Sequence, residues 1–303
     1  MTPRRGATTL QGVLVIDKPA GLSSHDVVNA VRAASGEGRV GHAGTLDPMA
    51  TGVLVVLLGP YTRLEPYISS AEKSYEATIT FGSATDTDDA QGRVVAVAPV
   101  PDVIGDASRA SHIVEGLVGT HAQVPPAYSA IKRGGRVSHR AARAGTPLEL
   151  EPRHVRVLSA RLTTLDQAAH SWTIDVTVSK GTYIRALARD LGETLGTKAH
   201  LSALRRTASG RITIAQATQL SDVVEAAKSH ALATLFVDPF EALGLPVVHA
   251  DSQQTATGAP LVSGKTYAEG TLVAVEADGR LAGVYHASGD LLVANAVLLG
   301  GPR

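Results

Sequence analysis

Residues 41–58 read GHAGTLDPMATGVLVVLL, a glycine-rich loop running straight into an unbroken apolar stretch. Val53–Leu58 shows no alternation, the pattern of a strand covered on both faces. Gly41, Gly44 and Gly52 allow backbone to approach a ligand closely. Pro48 biases Asp47 away from helical angles and removes the next amide donor. An aspartate at the mouth of a central strand is a candidate nucleophile or base. Most Asp-Pro loops are plain turns, in which the aspartate bonds its own backbone, so the loop alone leaves both readings open. A Walker-type phosphate loop is excluded, because no Gly-Lys-Ser/Thr follows.

Working outward, Gly12–Asp17 (GVLVID) reads as a short buried strand and Lys18–Gly21 as a turn. Ser23 with Asp26 three residues on opens a helix that buries Val27, Val28 and Val31 and stops near Gly36. Residues 74–82 alternate at period two, and strands are also expected at 154–163 and 171–179. Helices are expected near 107–118, 137–144, 183–195 and 221–234. Strands and helices mix without βαβ spacing, so the fold class is α+β, with a largely antiparallel mixed sheet flanked by helices. The texture changes at Leu243-Gly-Leu-Pro246, after which short apolar runs alternate with Gly and Asp-Gly turns. We therefore divide the chain into a domain over 1–242 and a small all-β domain over 243–303, with removal of residues 246–303 expected to leave the chemistry nearly intact.

No apolar run approaches the ~20 residues needed to span a bilayer, and the N-terminus has no apolar stretch suited to a signal peptide. The absence of cysteine excludes disulfides, thiolate metal sites and cysteine nucleophiles. The eleven histidines show no metal-binding spacing, and the Asp86-Thr-Asp-Asp89 run has its glycine at the wrong offset for a calcium loop. A cytoplasmic protein without metal or membrane is expected. Net charge is zero, but unevenly spread: residues 132–156 and 180–211 each hold seven basic and two acidic residues, leaving −10 elsewhere. Such segregation can hold a phosphate backbone on one face, although solvated surface charge explains most basic clusters. From Pro246 onward there are three basic and five acidic residues, so the tail adds no phosphate-binding charge.

Gly41–Leu54 resembles the catalytic motif of the TruB family of tRNA pseudouridine-55 synthases. Five further blocks match in family order: Asp17–Ser24 (DKPAGLSS), Lys73-Ser-Tyr75 with the acidic turn Thr85–Gly92, Pro125–Lys132 (PPAYSAIK), Ser179–Arg185 (SKGTYIR) and Ala199–Arg206 (AHLSALRR). The resemblance implies the pseudouridine synthase fold with a PUA-like C-terminal domain, and a thumb-like RNA-binding insertion over 121–152. It implies isomerisation of a T-loop uridine in tRNA by base flipping, with Asp47 as the catalytic carboxylate. Tyr75 would stack on the base, Tyr183 would serve proton transfer, and Arg185 would pair with Asp47. His42 would help hold the flipped T-loop bases, Lys18 would be structural or contact RNA, and Leu204 would line the uracil pocket; from the two basic stretches, Arg140, Arg143, Arg205 and Arg206 are expected to meet phosphates. Without the resemblance, Tyr75 would be a cross-strand aromatic, Tyr183 and Arg185 would pack and cap a helix, and Asp89 would form a turn. The implied reaction gains and loses no atoms, so no cofactor is needed. A guanidinium favours the ionised carboxylate the reaction requires, and an aromatic face holds the loose base for ~1–3 kcal/mol. The implied enzyme works as a monomer without guide RNA. Dyskerin-like RNA-guided enzymes and a non-catalytic tRNA chaperone are the rival readings.

Overall fold

The computed structural model describes residues 10–298. The chain opens with β1 (Gly12–Lys18), α1 (Ser24–Ser35), β2 (Val40–His42), β3 (Thr51–Leu58) and α2 (Glu65–Ile68). β4 (Lys73–Phe81), the hairpin β5 (Ser83–Thr85) and β6 (Val94–Val97), α3 (Ala107–Glu115) and β7 (Gly119–Gln123) follow. Next come β8 (Lys132–Arg133), β9 (Arg136–Val137), α4 (Ser138–Arg143), β10 (Arg153–Asp166), β11 (Ser171–Val178), α5 (Ile184–Thr194) and β12 (Ala199–Ser209). After β13 (Ile212–Thr213), β14 (Thr218–Gln219), α6 (Leu220–Lys228) and α7 (Pro239–Leu243), the chain ends in β15 (Val247–His249), α8 (Ser252–Thr255), β16 (Leu261–Val262), β17 (Leu272–Ala277), β18 (Arg280–Ser288) and β19 (Leu291–Val297).

Two compact units result. The first holds the chain up to Pro48, Gly52–Ala71 and the chain from Ala208 on; the second holds Met49–Thr51 and Glu72–Thr207. In the first, β1 lies between β3, antiparallel from Gly12↔Leu58 to Lys18↔Gly52, and β14, parallel at Ile16↔Thr218. Val53–Leu58 are all 0% exposed, as the continuous apolar run required. α1 carries the expected capping box, with Asp26 N–H donating to Ser23, and ends on Gly36 at φ 70°. Val27, Val28 and Val31 are its buried face. β15, β17, β18, β19 and β16, in that order, form the five-stranded sheet of the C-terminal stretch. That sheet has a core of its own, around Val273, Val275, Tyr285 and Leu292. Its other side, through Ala274, Leu281, Val284 and Leu298, shares a cluster with Val13, Val15, Val53, Val55 and Leu57. The appendage expected to be removable therefore completes the first unit's core.

The second unit orders its strands β12-β4-β11-β10-β7, with β4/β11, β11/β10 and β10/β7 antiparallel. Lys73, Ala77, Ile79 and Phe81 are buried on one face of β4. On the other, Ser74 meets Thr177 at 2.9 Å and Thr78 meets Thr173 at 3.0 Å, the cross-strand hydroxyl pairs of an antiparallel sheet. Trp172, 0% exposed, lies edge-on to Phe81 at 4.8 Å, and its indole N–H donates to the Ile104 carbonyl at 2.8 Å.

Three helices fall within a few residues of the expected positions, and the fourth is cut short. α6 stops at Lys228 because His230 takes φ 58°, and a 3-10 turn at Leu232–Leu235 covers the rest of the expected span. β12 was not expected at all.

Candidate active site

Asp47 is partly buried in the loop between β2 and β3. Both its chain neighbours are pinned within the first unit. The Leu46 N–H donates to Ser24 Oγ at 2.8 Å, and the same hydroxyl donates to the Leu46 carbonyl at 3.0 Å. On the other side, the Pro48 carbonyl accepts the Gly21 N–H at 2.8 Å and the Lys18 ammonium at 3.4 Å. Lys18 is 0% exposed and also donates to the carbonyls of Pro19 (2.8 Å) and Leu22 (2.6 Å). Of its two expected roles, structural or RNA-contacting, these contacts fit the structural one and not a direct RNA contact: Lys18 binds the turn that carries the loop. His42 ends β2 opposite Val56 and is partly buried.

In the second unit, α5 carries Arg185 one turn before Arg189, and both reach across to the acidic turn after β5. Arg185, 5% exposed, donates to the Thr87 carbonyl (2.9 Å) and the Tyr128 carbonyl (3.0 Å), with Nε 3.7 Å from the Asp89 carboxylate. Arg189 repeats the bridge, donating to the Asp88 carboxylate (2.9 Å) and the Val124 carbonyl (2.8 Å), and it also pairs with Asp190. Burial lifts the Asp88 and Asp190 carboxyls above the usual carboxylate range, although Arg189 opposes the shift in each. Burial pulls Arg189 down, but Asp88 and Asp190 together hold it above its ordinary value.

Tyr183 stands at the entrance of α5, where the Gln123 side chain brackets its backbone: the Tyr183 N–H donates to Oε1 at 2.9 Å and Nε2 donates to the Tyr183 carbonyl at 3.1 Å. Gln123 is 2% exposed. The acidic turn is zipped to β12, the Ala90 N–H donating to the Leu201 carbonyl and the Leu201 N–H to the Asp88 carbonyl. Further along β12 lie Leu204, 8% exposed, and Arg205, whose guanidinium donates to Thr51 Oγ1 at 3.3 Å. Arg206 is 1% exposed, which corrects its assignment to phosphate: a guanidinium enclosed by protein meets no backbone phosphate. Tyr75 is partly buried on β4, opposite Val176.

Between Gln123 and Arg153 lies the expected thumb segment. Gly134 and Gly135, at φ 56° and 76°, make the β8–β9 turn with both central residues left-handed. Ser138 closes the segment's base by donating to the Ala127 carbonyl at 2.6 Å, and α4 presents Arg140 and Arg143 exposed. Ser24, Gln123 and Arg189 were missed from sequence, because a polar side chain bonded to partners distant in the chain leaves no periodic signal.

Solved structures share this architecture. A chain of a Cbf5-Nop10-Gar1 complex superposes with TM-score 0.71 at 25% identity, over 95% of this chain and 85% of that one. A chain of an H/ACA RNP bound to a substrate RNA does so with TM-score 0.70 at 24% identity, over 96% and 86%. The fold is that of the pseudouridine synthases. Residues 32–184 match the TruB family pseudouridylate synthase N-terminal domain, and residues 185–243 the tRNA pseudouridylate synthase B C-terminal domain. A relative from Mycobacterium tuberculosis H37Rv, named tRNA pseudouridine synthase B, is 41% identical over 96% of this chain and 97% of its own. One of the same name from Thermobifida fusca is 49% identical over 70% and 74%. The chain belongs to the TruB family of pseudouridine synthases.

Proposed function

We propose that the protein converts a T-loop uridine of tRNA, position 55, to pseudouridine, as a monomer without guide RNA, cofactor or metal. Relatives at 41–49% identity, all named tRNA pseudouridine synthase B, support tRNA as substrate. The exposed Arg140 and Arg143 on the segment over 121–152 support direct recognition of a T-arm. No helix among the described residues is long and apolar enough to cross a membrane. In this reading residues 1–242 form the catalytic domain and 243–303 a small β-rich, PUA-like domain.

The observation that carries the reading is the Asp47 loop, a carboxylate whose two neighbours are both pinned, Leu46 by the buried Ser24 and Pro48 by Gly21 and the buried Lys18. The reaction breaks C1′–N1 and forms C1′–C5; the C5 proton leaves and N1 ends protonated, so nothing is oxidised and no atom is gained. Asp47 attacks C1′ or assists departure of uracil, which then turns while still bound. The uridine must be flipped out of its stack, and Tyr75 offers the flat face that keeps the loose base. Tyr183 serves proton transfer, Leu204 the uracil pocket, and Arg185 is a further active-site residue, while His42 and Arg205 bind RNA.

Asp47→Asn tests this directly. Purified protein with chelator and a minimal T-arm stem-loop should form pseudouridine, and the variant should bind the RNA, melt cooperatively and form none. Asp17→Asn and Asp26→Asn should keep substantial turnover. A folded Asp47→Asn protein that still turns over, or a strict need for guide RNA, overturns the proposal.

A further inference from the structure

A serine at the start of a helix usually caps it, but in α1 that work is done by Ser23, whose side chain bonds the Asp26 N–H while Asp26 answers to the Ser23 N–H at 2.9 Å. Ser24 is one residue further on and has no capping duty. It is 2% exposed, and its hydroxyl is spent entirely on Leu46, twenty-two residues away, as acceptor of the N–H at 2.8 Å and donor to the carbonyl at 3.0 Å. Leu46 is 3% exposed, so neither of its backbone groups has water to turn to if the hydroxyl is lost. The Leu46 carbonyl belongs to the peptide plane that enters Asp47. The Pro48 carbonyl, held by Gly21 and Lys18, belongs to the plane that follows Pro48. Two grips from one segment, residues 18–24, therefore bound the short stretch that aims the Asp47 side chain.

We propose that Ser24 is a positioning residue for the reaction: its hydroxyl sets the Leu46–Asp47 peptide and thereby the direction of the Asp47 carboxylate. The inference rests on Asp47 being the catalytic carboxylate. A side chain that must meet C1′ within a few tenths of an ångström is sensitive to its peptide plane, and a displacement of about 1 Å can cost on the order of 100-fold in rate. Ser24 is buried, so its loss should appear in the chemical step and not in RNA binding.

The test compares single-turnover rates at saturating enzyme, T-arm RNA dissociation constants and melting temperatures for Ser24→Ala, Ser24→Cys, Ser24→Thr and Ser23→Ala. Ser24→Ala should slow the chemical step by roughly 30-fold or more while the RNA dissociation constant stays within about threefold. Ser24→Thr, which keeps a hydroxyl, should recover most of the rate, and Ser24→Cys, with its weak donor, should fall between. Should the alanine variant not fold, the Cys and Thr variants still give the comparison. Ser23→Ala strips the cap from the same helix without touching Leu46, so it should lower the melting temperature and leave the chemical step alone. An alanine variant that is folded and fast, a threonine variant as slow as alanine, or a parallel rate loss in Ser23→Ala each overturns the proposal. Asp47→Asn run alongside separates the two failures. If it is inactive while Ser24→Ala is fast, only the positioning role falls; if it is active, the assignment of Asp47 falls first.

Discussion

Single residues in this chain are held by specific buried polar contacts, and Asp88 shows what such contacts do to charge. Its backbone sits at φ 60°, a conformation aspartate and asparagine tolerate best among residues other than glycine. Its carboxylate accepts from Arg189 at 2.9 Å, yet loss of water outweighs the attraction and its pKa is raised. A carboxyl with a folded pKa above its unfolded value contributes stability below the unfolded pKa of 3.8, and loses it as pH rises through the folded value. Ionised Asp88 is thus a net cost at neutral pH. Asp88→Asn keeps the shape, the φ tolerance and an acceptor for Arg189. We expect its melting temperature to exceed the wild type's by about 1–3 °C at neutral pH, the gap closing below about pH 4. A gap that widened on acidification would show that pairing, not desolvation, governs this carboxyl.

At the scale of elements, α5 is the organiser of the second unit. Arg185 and Arg189 each join the acidic turn to the chain between Val124 and Tyr128, the root of the thumb segment. Arg189→Met would leave the Val124 carbonyl and two carboxylates without their donor, and a charge-assisted hydrogen bond contributes about 1.5–3 kcal/mol. We expect faster amide exchange over residues 124–143 and roughly tenfold weaker T-arm binding, because the ordering cost then falls on binding. The single-turnover rate at saturation should stay within about twofold, since the helix start is still held by Gln123 and Arg185. An unchanged exchange pattern would mean that the root is fixed without Arg189.

For the whole molecule, charge and packing make separate predictions. Arg140 and Arg143 are exposed while Arg206 is enclosed. Neutralising Arg140 or Arg143 should flatten the salt dependence of RNA binding by about 0.7–0.9 each, as one phosphate contact does, whereas neutralising Arg206 should lower stability instead. If both exposed changes leave the slope untouched, α4 is only solvated surface. Removing residues 246–303 should not spare the chemistry, as the sequence suggested. It would bare Val13, Val15, Val53, Val55 and Leu57 where they share a cluster with Ala274, Leu281, Val284 and Leu298. At roughly 1.5–3 kcal/mol for each large side chain so affected, the loss is comparable to a typical total stability of about 5–15 kcal/mol. The truncated chain should be insoluble or non-cooperative on melting, and a soluble, cooperatively folded product would show that this packing is dispensable.

Local signals alone settled a good part of this protein. The apolar run Val53–Leu58, the Ser23–Asp26 box and the period-two pattern of residues 74–82 each specify their element through contacts within a few residues. Ordered motifs placed the chain in its family and singled out Asp47. Tertiary structure decided what depends on partners distant in sequence. β12 is built from alanine, leucine and arginine, good helix formers, and its burial skips from Leu201 to Leu204; pairing within a sheet overrides that propensity. Arg206 stands in a basic stretch that suggested a phosphate contact, and Lys18 in a motif that left a structural or an RNA role open; only the tertiary packing encloses both side chains. Ser24 gives no hint of Leu46 because twenty-two residues separate them, and a hydrogen bond between distant residues follows no local period.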